Sequence, residues 1–195
     1  LDGQRGGAPW LGMPVADIGS LDRLFIVGSF FRKDHPLIAQ RVRQAAKRGL
    51  KISAVNPAFD DWQLNLTNKA IVAPSGIPAF LASVVKALAA EKELSLSGPV
   101  ADVCSGLDVS ESALAIARSL ASGRKTAVWL GNFAVQHEQA GLIHVLASEV
   151  ARLAGAKLGV IGEAANSVGG YLAGAVPFVG DVKGKNVSEM LASKI

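Results

Sequence analysis

Apolar residues in this chain fall into short runs, separated by longer stretches in which they recur at helical spacing. The runs are residues 24–27, 51–55, 69–73, 126–130 and 157–161. The first, residues 24–27, does not alternate apolar with polar, which is the pattern of a strand covered on both faces, as in a parallel sheet. The chain is organised around residues 24–57. Gly28 and Ser29 break the first run, and Asp34 before Pro36 offers an N-cap, so a helix is expected from about Asp34. In that helix Ile38, Val42 and Ala45 share one face, and Gln40, Arg41, Arg43, Gln44, Lys47 and Arg48 occupy the others. Gly49 suits a left-handed C-terminal cap, and Lys51 opens the next strand. The unit is a βαβ crossover, which makes its two strands parallel.

The second half repeats the first in outline. The run 126–130 ends at Gly131-Asn132-Phe133, much as the first ends at Gly28-Ser29-Phe30. A helix is expected from about His137, burying Ile143, Leu146, Val150 and Leu153 and closing at Gly155 before the run 157–161. Two such units predict an α/β fold: a doubly wound, mostly parallel sheet with helices on both faces. Duplication and convergent patterning both account for the repeat. The expected organisation is an irregular lead-in over 1–20 anchored by Trp10 and Leu11, a first α/β half over 21–90, a linker-like segment over 91–109, and a second half over 110–195. The first half includes a polar loop with Trp62 and a helix built on Ile77, Phe80, Leu81, Val84, Val85 and Leu88. In the second, Ser110 caps a helix, residues 162–181 read as a close-packed small-residue loop in spite of the helix-dimer spacing of Gly170 and Gly174, and 186–193 form a last short helix.

Composition narrows the classes. Half of the 195 residues are hydrophobic and 18% are charged. No apolar run approaches the roughly 18 residues that span a bilayer, so a soluble chain without direct membrane insertion is expected. One cysteine, Cys104, excludes an internal disulfide framework and any all-cysteine zinc or iron-sulfur site. The formal charge of +4 comes largely from Arg32, Lys33, Arg41, Arg43, Lys47, Arg48 and Lys51. That face is read as solvated or as facing an acidic partner subunit; no aromatic residues interleave with it to stack bases, so nucleic acid is not expected. The chain opens Leu-Asp, without methionine or a signal pattern, and ends abruptly, which suits a piece of a longer protein.

Ligands of open parallel sheets gather at the carboxyl ends of the strands, here Gly28-Ser29, Asn56-Pro57, Gly131-Asn132 and Gly162-Glu163. Backbone amides there could hold a phosphate, yet neither Gly-x-Gly-x-x-Gly in a crossover nor a P-loop is present. His35 and His137 stand at helix starts and His144 beside a buried stripe, positions that suit structure better than catalysis. Ser29, Asp34 and His35 lack the Gly-x-Ser-x-Gly of a serine hydrolase, and Asp60-Asp61 reads as a turn. No catalytic residue and no metal site is expected.

Residues 26–57, IVGSFFRKDHPLIAQRVRQAAKRGLKISAVNP, resemble the nucleotide-binding segment of the molybdopterin oxidoreductases, where a strand runs into Gly-Ser-Asn, a His-Pro helix follows, and a second strand ends at Asp-Pro-Arg. A narrower resemblance is to the molybdopterin oxidoreductase-like, cluster-bearing subunit of the bacterial NADH-quinone oxidoreductase, respiratory complex I. It is carried by RKDHP at 32–36, KAIVAPS at 69–75 and GEAANSVGG at 162–170, and spans about 11–192. Phe30 stands for the asparagine of Gly-Ser-Asn, Asn56 for the aspartate and Ala58 for the arginine of Asp-Pro-Arg. The resemblance thus implies a vestigial crevice of Gly28, Ser29, Asn56, Pro57, Gly131, Asn132, Glu163 and Asn166 that holds no molybdopterin. It further implies a redox-silent domain with no cofactor of its own, iron-sulfur clusters in the upstream part of the parent subunit, other subunits of the complex I peripheral arm as partners, and a place on the cytoplasmic side of the bacterial inner membrane. The alternatives are a molybdopterin-guanine-dinucleotide-binding oxidoreductase domain and a free-standing nucleotide-binding module.

Overall fold

A computed structural model of the chain describes residues 8–58, 61–162, 166–176 and 184–193. The residues group into two units, Leu11–Ile161 and a second that joins Leu1–Trp10 to Gly162–Ile195. In chain order the first unit contains β1 (Arg23–Val27), α1 (Phe31–Asp34), α2 (Pro36–Ala46), β2 (Lys51–Asn56), β3 (Asn68–Ile71), α3 (Ile77–Glu91), α4 (Gly98–Cys104), α5 (Glu111–Ala121), β4 (Thr126–Leu130), α6 (Asn132–Val135), α7 (Ala140–Ala154) and β5 (Lys157–Val160). Its five strands form one all-parallel sheet in the order β3-β2-β1-β4-β5. The fold is doubly wound α/β. β1 is central, with Arg23 opposite Lys51 on one side and Thr126 on the other, so the two βαβ units meet along the β1–β4 pair.

The strands feed two cores, one on each face of the sheet. Phe25, Val27, Val55, Val128 and Leu130 point to the face covered by α3, α5 and α7. Leu24, Ile26, Ile52, Ala54, Ala127 and Trp129 point to the face covered by α2 and the lead-in. Trp129, Phe25, Phe31, Ile26 and Ile52 are all fully buried, and each such side chain contributes about 1.5–3 kcal/mol on burial. α3 is buried on nearly every side because it packs against α5 and α7 while α4 lies across it. The linker-like composition of 91–109 therefore conceals α4, whose Cys104 is buried with its Sγ 3.5 Å from Ala82 O. Lys86 and Lys92 secure this layer by donating from Nζ to Leu107 O (2.6 Å) and Ala121 O (2.9 Å).

The second face has fewer helices and recruits loops instead. Among the described residues no helix joins β2 to β3, and Trp62, Leu64 and Leu66 of that polar connection turn inward to fill the gap. Leu11, Met13 and Ile18 of the lead-in cover the rest. The lead-in comes so close to β5 that a Cβ on Gly12 would strike Leu158 O and one on Gly159 would strike Leu11 O.

Two helix starts differ from the expectation. His35, not Asp34, precedes α2, because a residue before proline is pushed out of the helical region; its φ of −135° and ψ of 60° separate α1 from α2. The second long helix starts at Ala140 rather than His137, since α6 and a turn at His137 come first. In the other unit, α8 (Ser167–Leu172) is helical where a loop was expected, and α9 (Val187–Ala192) is the expected last helix, closed by a reciprocal Asn186–Glu189 capping box. No helix among the described residues is long and apolar enough to cross a membrane.

The close crossing at β5 yields a stability prediction. Gly159→Ala should lower stability by about 1–3 kcal/mol, because its methyl would have to lift the lead-in off the strand. Urea unfolding measures this; an unchanged midpoint would mean that the lead-in does not lie there.

Candidate functional site

The carboxyl ends of β1 and β4 form the point where the strand order reverses, the usual ligand position in such sheets. Gly28 and Gly131 each extend a ladder by one bond, Gly28 N–H to Val55 O (3.0 Å) and Gly131 N–H to Val27 O (2.9 Å). The chain then turns. Gly28 has a φ of +60°, which favours glycine, and a Cβ there would lie 2.6 Å from Ala134 N. Ala134 belongs to α6, is itself buried, and donates from its amide to Gly28 O at 3.3 Å. Likewise, a Cβ on Gly131 would strike the Ser29 side chain. The turns after β1 and β4 thus close on each other by direct backbone contact.

Asn56, the last residue of β2, fastens this closure from the other side. Its Oδ1 accepts from Ser29 N–H at 2.9 Å and its Nδ2 donates to Ser29 O at 2.6 Å. The primary amide mimics a strand, offering one donor and one acceptor to one residue's backbone. Ser29 and Asn56 are each 1% exposed. An aspartate could not make the second bond, so the departure from Asp-Pro-Arg at this position has a structural use. Phe31, one residue beyond Phe30, is fully buried and holds the loop from the second face against Trp62 (ring centroids 5.5 Å) and Trp129 (6.4 Å).

Gly28, Ser29, Asn56 and Gly131 are therefore brought together. Pro57 follows as a half-buried bend and Asn132 opens α6, also half-buried. Glu163 lies outside the described residues, and Asn166 is an exposed residue of the other unit. Ala58 is exposed. Sequence reasoning treated Asn56 as a lost ligand contact and missed Phe31 and Ala134; only the amide's dual donor and acceptor character could have signalled the clamp.

The titratable groups nearby are few. His35 follows α1, and burial holds its ring below the ordinary value of 6.5, opposed by the charge of Asp34. Ser29 Oγ, Arg32 Nε and His35 Nε2 are buried without a hydrogen-bond partner among the described residues. His137 joins two loops at the same end of the sheet: Nδ1 accepts from Gln139 N–H (3.0 Å), so Nε2 carries the proton and donates to Pro74 O (2.9 Å). Among the described residues, no group of three or more His, Cys, Asp or Glu is placed to hold a metal.

Comparison with known proteins gives local and fold-level likenesses. No family model matches the chain. A 57-residue stretch is 39% identical to the F420-dependent formate dehydrogenase 1 subunit alpha of Methanococcus maripaludis, covering 29% of this chain and 8% of that one. This is a weak likeness to an oxidoreductase subunit of the molybdopterin oxidoreductase family. Among solved structures, the formyltransferase/hydrolase complex FhcABCD of Methylorubrum extorquens, in complex with methylofuran, contains a similar chain. The TM-score is 0.55 with 14% identity, over 95% of this chain and 52% of that one, a likeness of fold. The chain thus spans about half of the solved neighbour and a small part of the curated relative. Together these show an α/β fold and a weak, local likeness to one oxidoreductase subunit.

The clamp and the neighbouring histidine each carry a prediction. Asn56→Asp should cost about 3 kcal/mol near pH 7, because it loses a donor and sets a carboxylate against Ser29 O. Part of the loss should return as acid protonates that carboxyl; equal unfolding midpoints for the two proteins at pH 7 would contradict the clamp. For His35, whose folded value lies below its unfolded one, the neutral ring's contribution is complete above about 6.5 and is lost as pH falls below it. His35→Gln should remove that segment of the acid slope in a pH series of melting temperatures, and a slope unchanged between pH 7 and 5 would count against it.

Proposed function

We propose that this chain is a redox-silent scaffold domain of an electron-transferring oxidoreductase, the molybdopterin oxidoreductase-like part of the cluster-bearing subunit of NADH-quinone oxidoreductase. The observation that carries the reading is the closed switch point. Ser29 and Asn56, the polar groups best placed to meet a nucleotide, are buried against each other, and Ala134 sits against Gly28. The residues present do not fit a pterin nucleotide lying across the ends of β1 and β4, so no chemical step is assigned to that group. In this reading the domain contributes packing surface to the peripheral arm on the cytoplasmic side of the bacterial inner membrane. Electrons pass through iron-sulfur clusters held by the upstream part of the parent polypeptide. The motifs at 32–36, 69–75 and 162–170 support the narrower placement, and the identity with the formate dehydrogenase alpha subunit supports the wider one.

That same identity also favours a second reading, a working domain for a molybdopterin guanine dinucleotide, and the unpartnered Ser29 Oγ, Arg32 Nε and His35 Nε2 are the polar atoms it would use. Titration with guanine and pterin nucleotides separates the two. The scaffold reading expects no change in melting temperature at millimolar ligand, whereas a rise of several degrees, with molybdenum in the full-length protein by elemental analysis, would favour the enzyme.

A further inference from the structure

α2 differs from the other long surface helices in how its charge is balanced. Arg118 of α5 pairs with Glu91 at 3.0 Å, and Arg152 of α7 pairs with Glu149 at 2.6 Å. On α2 and the turn behind it, Arg41, Arg43, Lys47, Arg48 and Lys51 are all exposed, and no aspartate or glutamate occurs anywhere in residues 35–58. These five cations exceed the whole chain's net excess of four. Arg43 reaches Gln63 Oε1 at 3.2 Å, but the side chains of Arg41, Lys47, Arg48 and Lys51 make no ion pair or hydrogen bond among the described residues.

The outward stripe of the helix is Leu37, Gln40, Arg41, Gln44, Lys47 and Arg48. The helix dipole accounts for cations at its carboxyl end, where Lys47 and Arg48 follow the last turn, but not for Arg41 in the middle or for Lys51 on the strand. Moreover, Arg43 and Lys47 stand four apart, a like-charge spacing that weakens a helix where a glutamate at Arg43 or Gln44 would strengthen it. A face that needed only water would gain from mixed signs.

We propose that this face docks against an acidic protein surface, a carboxylate-lined patch on a neighbouring subunit. The guanidinium forks of Arg41 and Arg48 suit paired carboxylates, and Gln40 and Gln44 between them can bond at a rim without adding charge. A lipid surface fits less well, because Ala39, Val42 and Ala45 turn the apolar side of α2 into the core and leave Leu37 alone outside. Nucleic acid fits less well too, since residues 36–51 contain no aromatic side chain, and Phe31 and Trp62 on either side of them are buried and offer no stacking platform. The inference rests on the reading of the domain as packing surface and adds where it packs and on what chemistry.

The test is carbodiimide coupling of the full-length parent protein in its native assembly, which joins a lysine amine to a carboxylate only when the two are in contact. Lys47 and Lys51 are expected to couple to aspartate or glutamate of one other subunit, and added salt before coupling should abolish the product. In the same assembly Arg41→Glu with Lys47→Glu and Arg48→Glu should weaken association about tenfold or more. The milder Gln44→Glu should weaken it too without lowering the melting temperature of the free protein, which separates docking from folding. Retained assembly with neither lysine coupled, or unchanged affinity in the triple variant, would overturn the docking while leaving the scaffold reading in place. Loss of duplex DNA or anionic vesicle binding in that variant, with protein association intact, would likewise overturn it. Coupling at the lysines in a protein whose melting temperature rises with pterin nucleotide would keep the docking and sink the scaffold reading.

Discussion

The pair of hydrogen bonds between the Asn56 amide and the backbone of Ser29 is the constraint on which the upper end of this sheet depends. A strand in a parallel sheet must release its backbone at the carboxyl end, and the groups it releases need partners if they are buried. Asn56 supplies both partners for Ser29 from the neighbouring strand. This holds the turn after β1 against the end of β2. Gly28 and Gly131 make the next step possible, since neither carries the Cβ that would hold Ala134 and Ser29 away. The clamp and the glycines act together: one fixes the turn and the others let its counterpart close upon it.

Below that closure the two faces of the sheet are built differently. One is roofed by α3, α5 and α7, whose alanines, valines and leucines pack as a helical layer. The other has α1, α2 and a 3-10 turn of the lead-in (Val15–Ser20), and no helix occurs among the described residues of the β2–β3 connection; Trp62 and the lead-in do what a helix there would do. The aromatic cluster of Phe31, Trp62 and Trp129 ties that loop-built face to the turn after β1. Stability of the closed end and of the second face are therefore linked through one side chain, Phe31.

Much of this architecture was legible in the residues. Five short apolar runs marked the strands, and Gly49 and Gly155 marked helix ends because their backbones are left-handed, with φ of 107° and 62°. What escaped were side chains whose role depends on a distant partner. Asn56 reads as a polar ligand group at a strand end until Ser29 is placed opposite it. Trp62 sits in a polar stretch, and only the missing crossover helix explains why it turns inward. α4 was hidden because Ser97, Gly98 and Pro99 have the composition of a linker, although Gly98 and Pro99 form its first turn. The start of α2 required weighing Pro36 against Asp34, and the proline's effect on His35 prevailed.

The central claim is that the switch point is closed by the chain's own backbone, and amide hydrogen exchange reads it directly. The account predicts that the amides of Ser29, bonded to Asn56, and Ala134, bonded to Gly28, exchange as slowly as that of Ile26 in the middle of β1. Exchange of Ser29 and Ala134 at the rate of an exposed loop, with Ile26 still protected, would show the crevice to be open and would contradict the account.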